Sequence, residues 1–279
     1  MNVFVRILED RLFKVGVVLL SFLALLPLFL ILYYITRNGI SSVNWHFLTS
    51  LPKPVGEIGG GISNALAGTA ILLALSSLVA IPLGIAAGIF LAEYRRGRIP
   101  YLVRLAVEVL QGIPSIVIGI IAYAWIVLRM GKFSAVSGGV ALGIMMLPVV
   151  IKATEETLRM IPDSLREASL ALGVPYHWTI MRVVLPAGLG GIMTGVLVSV
   201  ARVAGETAPL LFTAFGSPFM ALNIFKPVSS LPMVIFNYAA SPYPEWHSLA
   251  WGASFVLVVF VLVLNFIAKA VTRKWKVQF

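Results

Sequence analysis

Ionisable residues are scarce in this chain, so those in apolar surroundings or at regular spacing are the first place to look for chemistry. Arg202 and Glu206 stand four residues apart inside a long apolar run. On a helix that spacing puts both on one face. A guanidinium fork matches planar oxyanions bidentately. Arg202 therefore reads as an anion contact held and tempered by Glu206, with Thr207 adding a hydroxyl donor. A structural salt bridge at a helix interface is the other reading. Counted from Pro186 at about 1.5 Å per residue, Arg202 lies about 24 Å into a run that has to cross about 30 Å of hydrocarbon. A charge at mid-bilayer costs about 2.5–3.5 kcal/mol on insertion scales, and a wet cavity softens that cost. Arg104 and Glu108 form a second pair at the same spacing and read as a structural anchor.

Other chemistries find no residues to carry them. The chain has no cysteine, which removes disulfides, zinc–thiolate sites and thiol catalysis. His46, His177 and His247 are far apart and match no metal-ligand spacing. No G-x-x-x-x-G-K-[ST] loop is present, so the chain does not hydrolyse ATP itself. No serine sits with a histidine in a recognisable motif, which sets an intramembrane hydrolase aside. No cofactor is expected.

The elements that must position these residues follow from composition. The chain is 59% hydrophobic and 11% charged, against about 45–50% and 25% in ordinary soluble domains. Lipid is the solvent that accommodates such a chain, and about 20 apolar residues are needed per crossing helix. Six runs qualify, at about Val15–Ile35, Ala65–Leu91, Leu105–Leu128, Ser134–Ile151, Ala187–Thr213 and Ser248–Ala268. The first has an apolar core too long for a cleaved signal and reads as an anchor. The fold class expected is all-α, a polytopic membrane protein with about six transmembrane helices. It forms a single domain over residues 1–279. Gly139, Gly143, Pro114 and Pro148 read as close-packing positions or hinges. Trp45, Trp246, Trp251 and Trp275 read as interfacial belt residues. Between Phe212 and Trp246 five prolines break the pattern, so short helices and turns that pack on protein or line a cavity are expected there.

The net charge of +10 suits anionic lipid headgroups better than nucleic acid in so apolar a chain. With six spans and the amino terminus inside, fifteen basic residues fall in inside segments: Arg6, Arg11, Lys14, Arg95, Arg96, Arg98, Arg104, Lys152, Arg159, Arg166, Arg182, Lys269, Arg273, Lys274 and Lys276. Five fall outside: Arg37, Lys53, Arg129, Lys132 and Lys226. Cytoplasmic segments carry the Lys/Arg excess, so both termini are placed in the cytoplasm.

The inside segment 152–186 is polar at its start and amphipathic later. Thr154–Met160 and Asp163–Leu172 read as short helices separated by Pro162, the second capped by Asp163 or Ser164 and ended by Gly173 and Val174-Pro175. Amphipathicity alone fits an interfacial helix. The residues also carry a resemblance. Glu167-Ala168-Ser169, then Gly173, Val183 and Leu185-Pro186, keep the spacing of the E-A-A…G…I-x-L-P loop of ABC importer permeases, with Ser169 for Ala and Val183 for Ile. The stretch Ala201-Arg202-Val203-Ala204-Gly205-Glu206-Thr207-Ala208-Pro209-Leu210-Leu211 resembles the R-x-x-G-E-T-A-P-L-L signature of the phosphate-permease (PstA) family. Gly112–Val117, Gly60–Ile62, Gly68-Thr69, Leu231-Pro232 and Ala250-Trp251 with Asn265 extend the likeness over roughly Gly59 to Asn265.

That resemblance implies a type I ABC importer permease, with a core at 59–270 and a coupling loop at 152–186. It implies a cell-membrane subunit that moves inorganic phosphate inward and is not itself an enzyme. Glu167, Ala168, Ser169, Gly173, Leu185 and Pro186 would couple to a separate ATPase, and Arg202, Glu206 and Thr207 would line the substrate path. Implied partners are a PstC-like second permease, a PstB-like ATPase dimer, a PstS-like phosphate-binding protein and the lipid bilayer. The alternative is an ABC permease for another oxyanion such as sulfate or molybdate. A secondary transporter is less well matched, because no clear internal repeat is visible.

Overall fold

The structure, a computed structural model, describes residues 3–274 apart from position 58, with side chains left out at 3–9, 272 and 274. Trp275 and Lys276, and the side chains of Arg6 and Lys274, lie outside what is described. Among the described residues all regular structure is helical, save a single parallel bridge between Phe215 and Val228.

Five helices are long and apolar enough to cross a bilayer. They are α1 (Val3–Gly39), α3 (Ser63–Glu93), α6 (Ala135–Arg159), α8 (Tyr176–Val203) and α11 (Pro244–Lys274). α4 (Arg98–Gly112) and α5 (Ser115–Met130) pass the same test only when taken together, and are bent by 105° at their break, the geometry of a broken span or a re-entrant pair. The short elements are α2 (Trp45–Thr49), α7 (Asp163–Ala171), α9 (Ala208–Leu211) and α10 (Leu231–Ala239).

The expected straight span Leu105–Leu128 is therefore corrected to a bent pair. Pro114 has no N–H to continue the ladder, and Ile113 before it is extended (φ −72°, ψ 128°), as a residue preceding proline prefers. Pro27, Pro82 and Pro148, by contrast, sit inside α1, α3 and α6 without ending them. The expected separate helix Thr154–Met160 is the last turns of α6. No glycine or proline interrupts residues 149–159, so the helix runs on past the apolar segment.

α6 is the most buried of the five long helices, with α3 along one side and α8 along another. Glycines set these approaches. A Cβ on Gly84 would stand 2.7 Å from Val150 Cγ1, and one on Gly139 would stand 2.6 Å from Leu75 Cβ. Gly88 faces Thr154 just as tightly. On the other side Gly188, Gly191 and Gly195 face Leu158, Thr157 and Ala153. Without hydrophobic drive between helices in lipid, close backbone approach supplies the packing. Gly139 of α6 and the glycines of α3 and α8 that face it thus serve close contact.

One end of the bundle is finished by backbone pairing. The first N–H groups of α6 have no intrahelical acceptors. Ser134 N donates to Thr213 O (3.1 Å), Ala135 N to Lys226 O (3.0 Å) and Val136 N to Ile224 O (3.1 Å). Thr69 Oγ1 accepts from Leu231 N at 2.9 Å and donates to Ala65 O. The proline-broken segment thus packs on protein, as an irregular backbone in a membrane must.

Candidate functional site

The connection between α6 and α8 is shorter than expected. α8 starts at Tyr176 and contains a π-turn at Ile180–Val184, where Leu185 N donates to Ile180 O. Leu185 and Pro186 therefore lie within a membrane helix, not in a loop. The π-turn lets the helix continue through Pro186, whose ring removes a donor. What projects from the bundle is residues 160–175, with α7 at their centre.

α7 has two unlike faces. Arg166 is buried, and its guanidinium makes four bonds: to Glu93 Oε1 (3.2 Å), Asp163 Oδ1 (3.0 Å), Ile161 O (3.1 Å) and Leu158 O (3.1 Å). The two carbonyls lie in the last turn of α6 and two residues past its end, where acceptors lack intrahelical donors and a cation is favoured. Glu93, at the end of α3, accepts from Arg166 on one oxygen and from the Tyr176 hydroxyl on the other. Ser169 is buried and shares a 2.9 Å hydroxyl–hydroxyl bond with Thr179 of α8. Asp163 does not cap the helix. Pro162 is the N-cap residue without a side-chain bond, and Asp163 instead binds Arg166 and Arg95.

The rest of its surface is bare. Glu167, Ala168, Leu170 and Leu172 are exposed, Leu172 to 83%. Gly173 terminates the turn at φ +79° with open space around it, so its requirement is conformational and not one of close approach. Val174 N then donates to Ser169 O.

Arg104 also departs from expectation. It bonds Glu155 Oε1 through Nε at 2.8 Å, along with the carbonyls of Leu91 and Arg95, and not Glu108. Arg159 reaches the same Glu155 oxygen at 2.7 Å. A polar cavity of about 210 Å³ lies beside this cluster, lined among others by Glu108, Lys152 and Glu156.

At the other end, Arg202 and Glu206 do not form the expected pair. α8 stops at Val203, where turn bonds Gly205 N→Arg202 O and Glu206 N→Val203 O replace the helical ladder. Among the described residues no ion pair joins the two. Arg202 occupies the last turn of α8, where a cation suits the helix dipole, and its side chain is exposed. Glu206 and Thr207 are half-buried in the following turn. Val203 and Ala204 pack with Leu72, Leu73, Leu142 and Leu210, which sets the level of Arg202 within the bundle. Pro209 of α9 lies against Gly119 of α5.

Beyond them, an end cavity of about 610 Å³ is lined by Lys53, Asn64, Phe215, Tyr238 and Trp246 among others. Asn64 donates to Ser217 O at 2.7 Å, while its buried Oδ1 lacks a bond among the described residues. Sequence reasoning singled out neither this cavity nor Glu93, Glu155 and Arg166. Only the position of Arg166, one residue before Glu167 and so on another helix face, pointed to it.

Comparison with known proteins places these features in a family. Residues 84–277 match the family described as binding-protein-dependent transport system inner membrane component. The chain is 40% identical over 247 residues to the phosphate transport system permease protein PstA of Yersinia pestis, covering 88% of this chain and 84% of that one. It is 39% identical to the PstA of Pasteurella multocida, covering 95% and 94%. It is 34% identical to the probable PstA of Methanocaldococcus jannaschii, covering 93% and 92%. Among solved structures, the MetNI methionine ABC transporter in inward-facing conformations shares the fold with TM-score 0.62 at 20% identity, over 77% of this chain and 97% of that one. With its multi-span helical bundle and a projecting helix between α6 and α8, this chain belongs to the PstA family of phosphate transport system permeases.

Proposed function

We propose that this chain is the membrane-spanning permease subunit of an ATP-driven importer of inorganic phosphate, coupled through α7 to a separate ATPase. The observation that carries the reading is the division of α7 into a fastened face and a bare one. A short amphipathic helix lying on lipid would turn its apolar side to the membrane. Here the inner face is tied by a buried arginine to α3 and α6, leaving Glu167, Ala168, Leu170 and Leu172 for a partner. The names of the relatives support phosphate over sulfate or molybdate.

The finer assignments are part of the same proposal. The core runs over 59–270. Its coupling region is 152–186, which takes in the last turns of α6 and the start of α8, and of which the connecting segment 160–175 does the docking. Glu167, Ala168, Ser169 and Gly173 form the coupling knob, and Leu185-Pro186 root it in α8. The partners are a PstC-like permease, a PstB-like ATPase pair and a PstS-like phosphate-binding protein. The Lys/Arg distribution supports both termini on the cytoplasmic side. Arg202 projects from its own bundle, and exposure to lipid would cost about 2.5–3.5 kcal/mol. We therefore turn it toward the second permease and the path between the two, with Glu206 and Thr207 on the adjoining turn.

The test is uptake of labelled phosphate by proteoliposomes holding the co-purified complex. ATP-dependent uptake competed by phosphate and not by sulfate or molybdate is expected. Uptake without an ATPase companion, or equal competition by sulfate, overturns the proposal.

A further inference from the structure

Any motion delivered to the bare face of α7 has to reach the membrane helices through fixed contacts. The described polar contacts that reach more than one of those helices converge on one ion pair. Arg166 and Glu93 are 10% and 6% exposed at their side chains and meet at 3.2 Å. Glu93 is the last residue of α3, and its second oxygen takes the Tyr176 hydroxyl at the start of α8. Arg166 also holds the carbonyl of Leu158, in the last turn of α6, and that of Ile161, two residues beyond it. Two side chains thus join α7 to α3, α6 and α8 at once.

The neighbouring contacts are of a different kind. Arg95–Asp163 is 51% and 59% exposed and screened by solvent. Ser169–Thr179 ties α7 to α8 alone. Among the described polar contacts, only the Glu93–Arg166 pair connects α7 to α3 away from bulk water, beside the apolar packing of Leu165 on the cluster that holds Ala92. The tight approaches of Gly84 and Gly88 to α6 then carry a displacement of the α3 end along the α3–α6 pair as one unit.

The geometry points to Glu93 and Arg166 as positioning residues that make α7 a rigid extension of α3 and α6, so that nucleotide-driven movement becomes solute movement. This rests on the proposed function. Neither residue touches the solute or faces the ATPase. Their loss leaves α7 in place, attached by Ser169–Thr179, by the packing of Leu165 and by its own chain, but without the directional link that moves it together with α3.

The experiment is the ratio of phosphate imported to ATP hydrolysed, measured on the assembled complex in proteoliposomes. Glu93→Gln keeps the volume and removes the charge. Arg166→Met keeps the stem and removes the fork. ATP hydrolysis within about twofold of wild type is expected for both, with the ratio falling about tenfold for Arg166→Met and less for Glu93→Gln. The double variant Glu93→Cys/Arg166→Cys gives a rescue, since this chain has no other cysteine. A short bifunctional thiol reagent should restore the ratio, and a monofunctional one should not. An unchanged ratio in Glu93→Gln and in the unlinked double variant overturns the inference, as does a lost ratio that cross-linking fails to raise. A wild-type complex that imports no phosphate refutes the function itself, a different result from an importing wild type beside unaffected variants.

Discussion

Glu155 offers a direct test of the charge network at the α7 end of the bundle. Its side chain is 9% exposed, accepts a hydrogen bond from Arg104 at 2.8 Å and forms an ion pair with Arg159 at 2.7 Å. Removing one partner of a fully buried pair costs about 3–5 kcal/mol, whereas an exposed pair contributes about 0–1 kcal/mol. Arg104, at 25% exposure, lies between these limits and keeps the carbonyls of Leu91 and Arg95 as acceptors. Its bridge is therefore worth about 2 kcal/mol. Arg159, at 39% exposure, is discounted for solvent screening to about 0.5 kcal/mol. Glu155→Ala should then lower the unfolding free energy of the purified chain in detergent by about 2–3 kcal/mol, and Glu155→Gln, which keeps an acceptor, by about 1–2 kcal/mol. The assay is reversible chemical unfolding followed by circular dichroism, repeated at high salt. Because the carboxylate is buried, salt should change the difference little. Glu108→Ala serves as the control and should be near neutral. If it costs as much as Glu155→Ala, or if Glu155→Ala stays within about 0.5 kcal/mol of wild type, the assignment of Arg104 to Glu155 is wrong.

Further outcomes follow from single positions. Gly173 sits at φ +79°, where a side chain costs about 1–2 kcal/mol. Gly173→Ala should weaken docking of the ATPase in co-purification, and Gly173→Asn should do so less. A Cβ on Gly195 would collide with Ala153. Gly195→Val should destabilise the α6–α8 contact by about 3 kcal/mol or more, read as a lower midpoint in the same unfolding assay. Arg202→Gln in a complex shown to assemble should reduce phosphate uptake about tenfold or more, from the loss of a charge-assisted contact. Normal uptake would remove Arg202 from the transport path.

Hydropathy located the five long crossing helices because each is a long run whose solvent can only be lipid. The register of their ends was less legible. α8 begins eleven residues before the expected Ala187, because Ile180–Leu185 is helical through its π-turn although Arg182 and Pro186 break the apolar pattern in the sequence. The bend at Ile113-Pro114 was misread for a related reason. Three other prolines lie inside unbroken helices, so proline alone does not say which helix yields. Local spacing misled twice at charged residues. Arg104 prefers Glu155, 51 positions away, to Glu108 at four, because tertiary packing buries the distant partner. The pairing of Arg202 with Glu206 presumed a helix that Gly205 and Pro209 cut short. The bare face of α7 was visible as a motif. Its fastened face was not, because nothing in the order of residues announces that Glu93 will meet Arg166.

The glycine seams along α6 have a genetic consequence. Every amino acid replacement reachable by one base change in a glycine codon adds at least one carbon. At Gly84, Gly88, Gly139, Gly191 and Gly195 that carbon would fall on a neighbouring helix. α1 stands at the opposite extreme, with none of its apolar window buried. Random mutation should thus spare the oily periphery and be purged from the seams, so a population of functional variants would trace α6 as a stripe of invariance.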